Sequence, residues 1–185
     1  MLYEIIHLLV DVIGGLLVGA CVLRAWMQAR RIGGANPVGT FVMSLTDWIV
    51  RPLRRIVPGY AGIDWASLVA AFVLTLIAVT IDLGLRFGGL PPLDLLLGLT
   101  LVWLIKWILY LAQLLILLSA VLSWVNPFSP FLPIVDALTS PVLAPLRRIV
   151  PQAGRMDFSP LVALLLIQIA LIIVNRVAFQ VIGAA

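Results

Sequence analysis

The heptapeptide Pro52-Leu-Arg-Arg-Ile-Val-Pro58 recurs 93 residues further on as Pro145-Leu-Arg-Arg-Ile-Val-Pro151. Each copy is followed by an acidic residue and a long apolar run, Asp64-Trp-Ala-Ser-Leu-Val and Asp157-Phe-Ser-Pro-Leu-Val. A repeat of this period restricts the chain to a duplicated unit, and its composition says where that unit sits. Hydrophobic residues make up 63% of the 185 and charged residues 11%, with a mean hydropathy of +1.20. Ordinary soluble domains are about 45–50% apolar and about 25% charged, so this chain belongs in a bilayer.

A helix needs about 20 mostly apolar residues to span a membrane. Four runs qualify, at 2–23, 65–85, 95–122 and 161–182. Asp11 in the first costs about 2.5–3.5 kcal/mol near a helix centre, which the surrounding Leu, Ile and Val residues offset. The third run is long enough to tilt or to project past the hydrocarbon. Gly88-Gly-Leu-Pro-Pro92 is the natural seam, dividing the chain into a first repeat over 1–90 and a second over 91–185. Val18-Gly-Ala-Cys21 has the form of a lipoprotein cleavage box. With Glu4 present and nothing basic before Arg24, it reads instead as part of a retained helix. The single cysteine allows no internal disulfide.

The net charge of +4 and pI near 10 would suit a nucleic-acid binder, but the placement of the charges excludes that reading. Nine of the twelve basic residues fall in two connections: arginines 24, 30, 31, 51, 54 and 55 in the first, and 147, 148 and 155 in the second. The middle connection holds only Arg86. By the positive-inside rule both repeated motifs are expected in the cytoplasm and both termini outside. The two copies then enter the membrane the same way, related by a pseudo-twofold along the membrane normal.

Taken as a helix, residues 38–56 place Val38, Phe41, Val42, Leu45, Trp48, Ile49, Leu53 and Ile56 on one face. Thr40, Ser44, Asp47, Arg51, Arg54 and Arg55 lie opposite. That pattern predicts a helix lying in the headgroup plane. Pro52 is expected to kink it or to open a new short turn ended by Pro58, and Pro141, Pro145 and Pro151 to act alike in the second copy. The expected fold is therefore an all-α membrane protein: four transmembrane helices as two tandem parallel helical hairpins, each with a kinked amphipathic interfacial helix. Arg51, Arg54, Arg55, Arg147 and Arg148 read as anchors to anionic lipid headgroups, with a docking surface for a protein partner as the other reading. Asp64, Asp157 and Ser159 read as helix caps, with Pro160 suited to a first turn. An ion-binding or catalytic role for the two aspartates is the rival.

These residues resemble the YggT family of small bacterial and plastid membrane proteins. The resemblance is carried by Arg24-Ala-Trp26, Asn36-Pro37, Pro52-Leu-Arg-Arg55, Pro58 and Asp64. In the second copy it is carried by Ser123-Trp124, Asn126-Pro127, Pro145-Leu-Arg-Arg148, Pro151 and Asp157-Phe-Ser-Pro160. From Asn126 to Thr139 the second copy is three residues longer than the first from Asn36 to Thr46. The resemblance implies a bacterial inner-membrane protein tied to osmotic or envelope stress. Among relatives it extends to cell division, nucleoid distribution and, in plastids, cytochrome maturation.

The chain has one histidine and one cysteine, and no Gly-rich phosphate loop or Gly-x-Ser-x-Gly elbow. No enzyme activity and no cofactor or metal are expected. Asp11, Asp82, Lys106 and Arg176 fall toward the outer ends of the spans. They either pair into a cluster holding the helices in register or snorkel outward separately. The leading functional reading is a non-enzymatic membrane scaffold that binds anionic lipid. It leaves room for a cytoplasmic or membrane protein partner and for a homo-oligomer. The alternative is a small oligomeric transporter or channel subunit that uses those four charges.

Overall fold

The computed structural model describes residues 2–60, 62–89, 92–150 and 157–183. Among the described residues six helices follow in order: α1 (Leu2–Ala29), α2 (Pro37–Arg54), α3 (Trp65–Phe87), α4 (Leu93–Val125), α5 (Leu132–Ile149) and α6 (Ser159–Gly183). Four stretches are long and apolar enough to cross a membrane: Tyr3–Ala29, Trp65–Arg86, Leu93–Val125 and Ser159–Val181. The all-helical, four-span architecture expected from hydropathy is the one observed. At 33 residues α4 is about 50 Å long, well beyond the roughly 30 Å of hydrocarbon.

The spans differ from expectation where charge misled. The first helix runs on from the expected end at 23 to Ala29, because Arg24 is drawn into the packing and is only 7% exposed. The short helices differ where proline misled. Both continue through their internal prolines, α2 through Pro52 and α5 through Pro141 and Pro145. Pro52 lies two residues before the end of α2 and opens no separate turn; lacking an N–H, it leaves out the single ladder bond to the Trp48 carbonyl. Pro141 leaves the Ala137 carbonyl without its usual donor, and the Ser140 hydroxyl donates to that carbonyl at 3.0 Å.

The two Asn-Pro motifs also do different work. Asn36 caps α2, its side-chain oxygen accepting from Gly39 N at 2.9 Å with Pro37 in the first turn. Asn126 instead closes α4, donating its amide to Leu122 O at 2.9 Å. The three extra residues push the start of α5 on to Leu132, where no side chain caps it.

Packing divides the chain into two compact units, Met1–Ile108 with Val174–Ala185, and Leu109–Ile173. In the first, α1, α2 and α3 pack on one another. Their core contains Val18, Cys21, Val50, Ala66, Ala70, Ala71, Ala78 and Trp107. Small side chains along α3 let neighbouring backbones approach, the usual basis of helix association where lipid is as apolar as leucine. Gly14 of α1 serves the same end: a Cβ there would stand 2.9 Å from the Trp107 ring. In the second unit Leu143 of α5 packs with Ile116 of α4 and with Ala163, Ile167 and Leu171 of α6.

Burial repeats at the sequence offset. Val42 and Val135, Thr46 and Thr139, Val50 and Leu143, and Ala70 and Ala163 are all buried. The buried side of α2 is Gly39, Val42, Thr46 and Val50, while Phe41 and Trp48 are 60% and 61% exposed. Two large members of the predicted apolar face thus stay outside the protein's own core.

Candidate functional site

The repeated heptapeptide ends in a joint that is built twice. Arg54, the last residue of α2, forms an ion pair with Asp64, which caps α3. Ninety-three residues on, Arg147 of α5 donates from Nε to Asp157 Oδ2 at 2.7 Å, just ahead of α6. In each copy ten residues separate the partners. The arginine therefore ties the end of one helix to the start of the next.

Each aspartate also performs the capping role expected of it. Asp64 accepts from Ser67 N at 3.3 Å and from the Ser67 hydroxyl at 2.7 Å. Asp157 accepts from Ser159 N at 2.9 Å. Ser159, the first residue of α6, donates its amide to that carboxylate, and its side chain is buried beside it.

Burial pushes the pKa of both carboxyls up, but the bonds to their charged form outweigh it. For Asp64 those are the Arg54 and Ser67 hydrogen bonds, and for Asp157 the Ser159 amide and Arg147. Both end below the ordinary carboxylate value.

The first copy carries an addition that the second lacks. Arg24 of α1 donates from Nη1 to Thr46 Oγ1 and to Asp47 Oδ1, both at 2.8 Å. Its Nε lies 3.6 Å from Asp64 Oδ2. Arg51 closes on Asp47 at 2.7 Å. One buried arginine therefore binds three helices together. Neither Arg24 nor Arg54 is spent wholly on lipid, as a reading of the connections as headgroup contacts would require. In the second unit α4 and α5 are tied at other positions, the Ser119 hydroxyl donating to Asp136 at 2.8 Å. Arg55 and Arg148 are exposed and have no ion pair among the described residues, while Arg51 is 76% exposed beyond its contact with Asp47.

Within the spans the four expected charges go to different partners. Asp82 of α3 is 5% exposed. It accepts from the Tyr3 hydroxyl at 3.2 Å and sits 2.6 Å from His7 Nδ1. The His7 ring stacks on Tyr3 and meets Trp103 edge-on. Asp11 accepts from Trp107 Nε1 at 3.2 Å. Lys106 lies 5.9 Å from the Trp103 ring centre. Arg176 is exposed on α6. Each acidic residue is thus met by aromatic or imidazole donors that sequence reasoning missed. The available signal was the run of Tyr3, His7 and Asp11 at helical spacing on one side of α1.

A chain with four apolar spans and a joint repeated between each pair of them is a multi-pass helical membrane protein made from a duplicated half. It belongs to the CCB3/YggT family, whose model matches residues 3–85 and again 98–178. Among its relatives is the uncharacterized protein YggT of Escherichia coli K12, 34% identical over 155 residues, covering 80% of this chain and 77% of the relative. An uncharacterized protein of Haemophilus influenzae is 34% identical over 148 residues, covering 79% and 78%. One from Pseudomonas aeruginosa is 32% identical over 176 residues, covering 92% and 88%. No solved structure matches.

Proposed function

We propose that the protein is a non-enzymatic scaffold of the bacterial inner membrane, with its two arginine-bearing joints on the cytoplasmic side and both termini outside. The observation that carries this reading is the doubled joint. In each copy the first arginine is taken by the capping aspartate, Arg54 by Asp64 and Arg147 by Asp157. The second, Arg55 or Arg148, remains on the surface. A rigid joint that presents a guanidinium beside the end of a span is suited to lipid phosphate or to an acidic partner. The exposed Phe41 and Trp48 of α2 support an interfacial setting, since aromatic rings favour the headgroup level. A contribution to envelope behaviour under osmotic stress or to cell division is part of this proposal.

The second reading, a small oligomeric channel or transporter, draws on the Tyr3, His7 and Asp82 group inside the spans. Photo-reactive residues placed at 55 and 148 in the full chain separate the two. Under the scaffold reading both positions crosslink to phospholipid or to one recurring protein, and liposomes containing the purified protein conduct no ions. Reproducible conductance lost on Lys106→Ala, with no crosslinks at 55 and 148, would overturn it.

A further inference from the structure

A cavity of about 250 Å³ opens where α1 ends and α2 begins, lined on its polar side by Arg24, Arg31, Arg54 and Gln28. We infer that this cavity is a binding site for a phosphate ester. Charge supports this first. The stretch 24–64 contains six arginines and two carboxylates, Asp47 and Asp64. Asp47 is already shared by Arg24 and Arg51, and Asp64 by Arg24 and Arg54, so the cavity retains a positive excess.

Burial supports it second. Arg24 is only 7% exposed in the cavity wall, and its Nε makes no hydrogen bond, the nearest acceptor being Asp64 Oδ2 at 3.6 Å. Such a donor is normally satisfied in a protein interior.

Shape supports it third. Arg31 adopts φ +56 as the left-handed residue of the cap closing α1, with Ile32 N donating to Met27 O and Arg31 N to Gln28 O, which turns the chain along the cavity rim. The Gly34 backbone lies so close to Gly39 that a Cβ on Gly39 would stand 2.7 Å from Gly34 O, so this part of the wall is bare backbone. Planar guanidinium groups recognise phosphate oxygens in pairs. The cavity exceeds what one phosphate fills, and Met27 and Met43 line its other side, which suits the carbon portion of an ester.

The site belongs to the first repeat alone. Arg24-Ala-Trp26 is matched by Leu122-Ser-Trp124 in the second, which removes the buried cation. Arg54 is shared with the first joint, and lipid phosphate with the scaffold reading, but Arg24 and Arg31 belong to neither, so loss of this site is distinguishable from loss of lipid contact at Arg55 and Arg148. The same chemistry occurs in an anionic phospholipid headgroup and in a free phosphate ester, and the test separates the two.

Purified full-length protein in neutral detergent is titrated with phosphatidylglycerol, phosphatidylcholine and glycerol 3-phosphate, and adducts are counted by native mass spectrometry. One saturable adduct is expected, formed at least tenfold more tightly with phosphatidylglycerol than with phosphatidylcholine, or formed with glycerol 3-phosphate. Displacement of phosphatidylglycerol by glycerol 3-phosphate marks the phosphate as the determinant, whereas retention marks the lipid as the source. Arg31→Gln, an exposed position outside the ion-pair network, is expected to weaken the adduct at least fivefold, and Arg176→Gln, exposed on α6, to leave it unchanged. No saturable adduct with phosphatidylglycerol or glycerol 3-phosphate would overturn the inference, as would equal weakening by Arg31→Gln and Arg176→Gln.

Discussion

Replacing Asp64 by asparagine is expected to cost about 3–5 kcal/mol of unfolding free energy, the usual penalty when one partner of a buried ion pair is removed. Asp64 is fully buried. It receives Arg54, the Ser67 amide and the Ser67 hydroxyl, with Arg24 3.6 Å away. An asparagine keeps the shape but leaves Arg24 enclosed with half of its countercharge. The equivalent change at Asp157 is expected to cost about 1 kcal/mol, because that pair is partly in solvent, its side chains 38% and 21% exposed, and exposed pairs contribute little. Denaturant unfolding of both variants in the same detergent measures the difference.

The pH dependence has a definite sign. The folded value of Asp64 lies below its ordinary 3.8, so its contribution is fully present above pH 3.8 and is lost as pH falls through the lower folded value. Asp64→Asn should therefore flatten the acid limb of the stability curve while leaving its neutral region parallel to the wild type.

Trp107→Ala is expected to cost a similar amount, about 3–5 kcal/mol, for a different reason. The indole is 4% exposed, packs edge-on against Trp103 with ring centres 5.5 Å apart, and faces Gly14 and Gly15 across α1. Removing it opens a void that glycines cannot fill and takes the Trp107 donor from Asp11. Trp107→Phe separates the two effects. It retains most of the ring contact and should cost about 1–3 kcal/mol, the penalty of leaving a polar group without its donor. If the two variants are equally unstable in denaturant titrations, the hydrogen bond to Asp11 carries the site; if phenylalanine is nearly neutral, packing does.

The places where sequence and structure diverge have particular physical causes. The spans are legible because a bilayer demands long apolar runs, and four such runs stand out. Their ends are less legible. Arg24 resembles a stop signal, and only the positions of Thr46, Asp47 and Asp64 make it a packed residue. Pro141 resembles a helix break until Ser140 is seen bonding the vacated carbonyl. The Arg54–Asp64 and Arg147–Asp157 pairs were within reach, since opposite charges recur ten apart in both copies, but a proline between them suggested separate elements. The destinations of Asp11 and Asp82 were out of reach, because they depend on which faces of α1, α3 and α4 meet.

Under the proposed topology the chain crosses the lipid four times and returns both arginine-bearing joints to the cytoplasmic side. Arg55→Cys and Arg148→Cys, each made with Cys21→Ala, can be labelled with a membrane-impermeant thiol reagent in right-side-out and inverted vesicles. Both are predicted to react in inverted vesicles and to be silent in right-side-out ones. Reaction of the two cysteines from opposite sides would contradict the account.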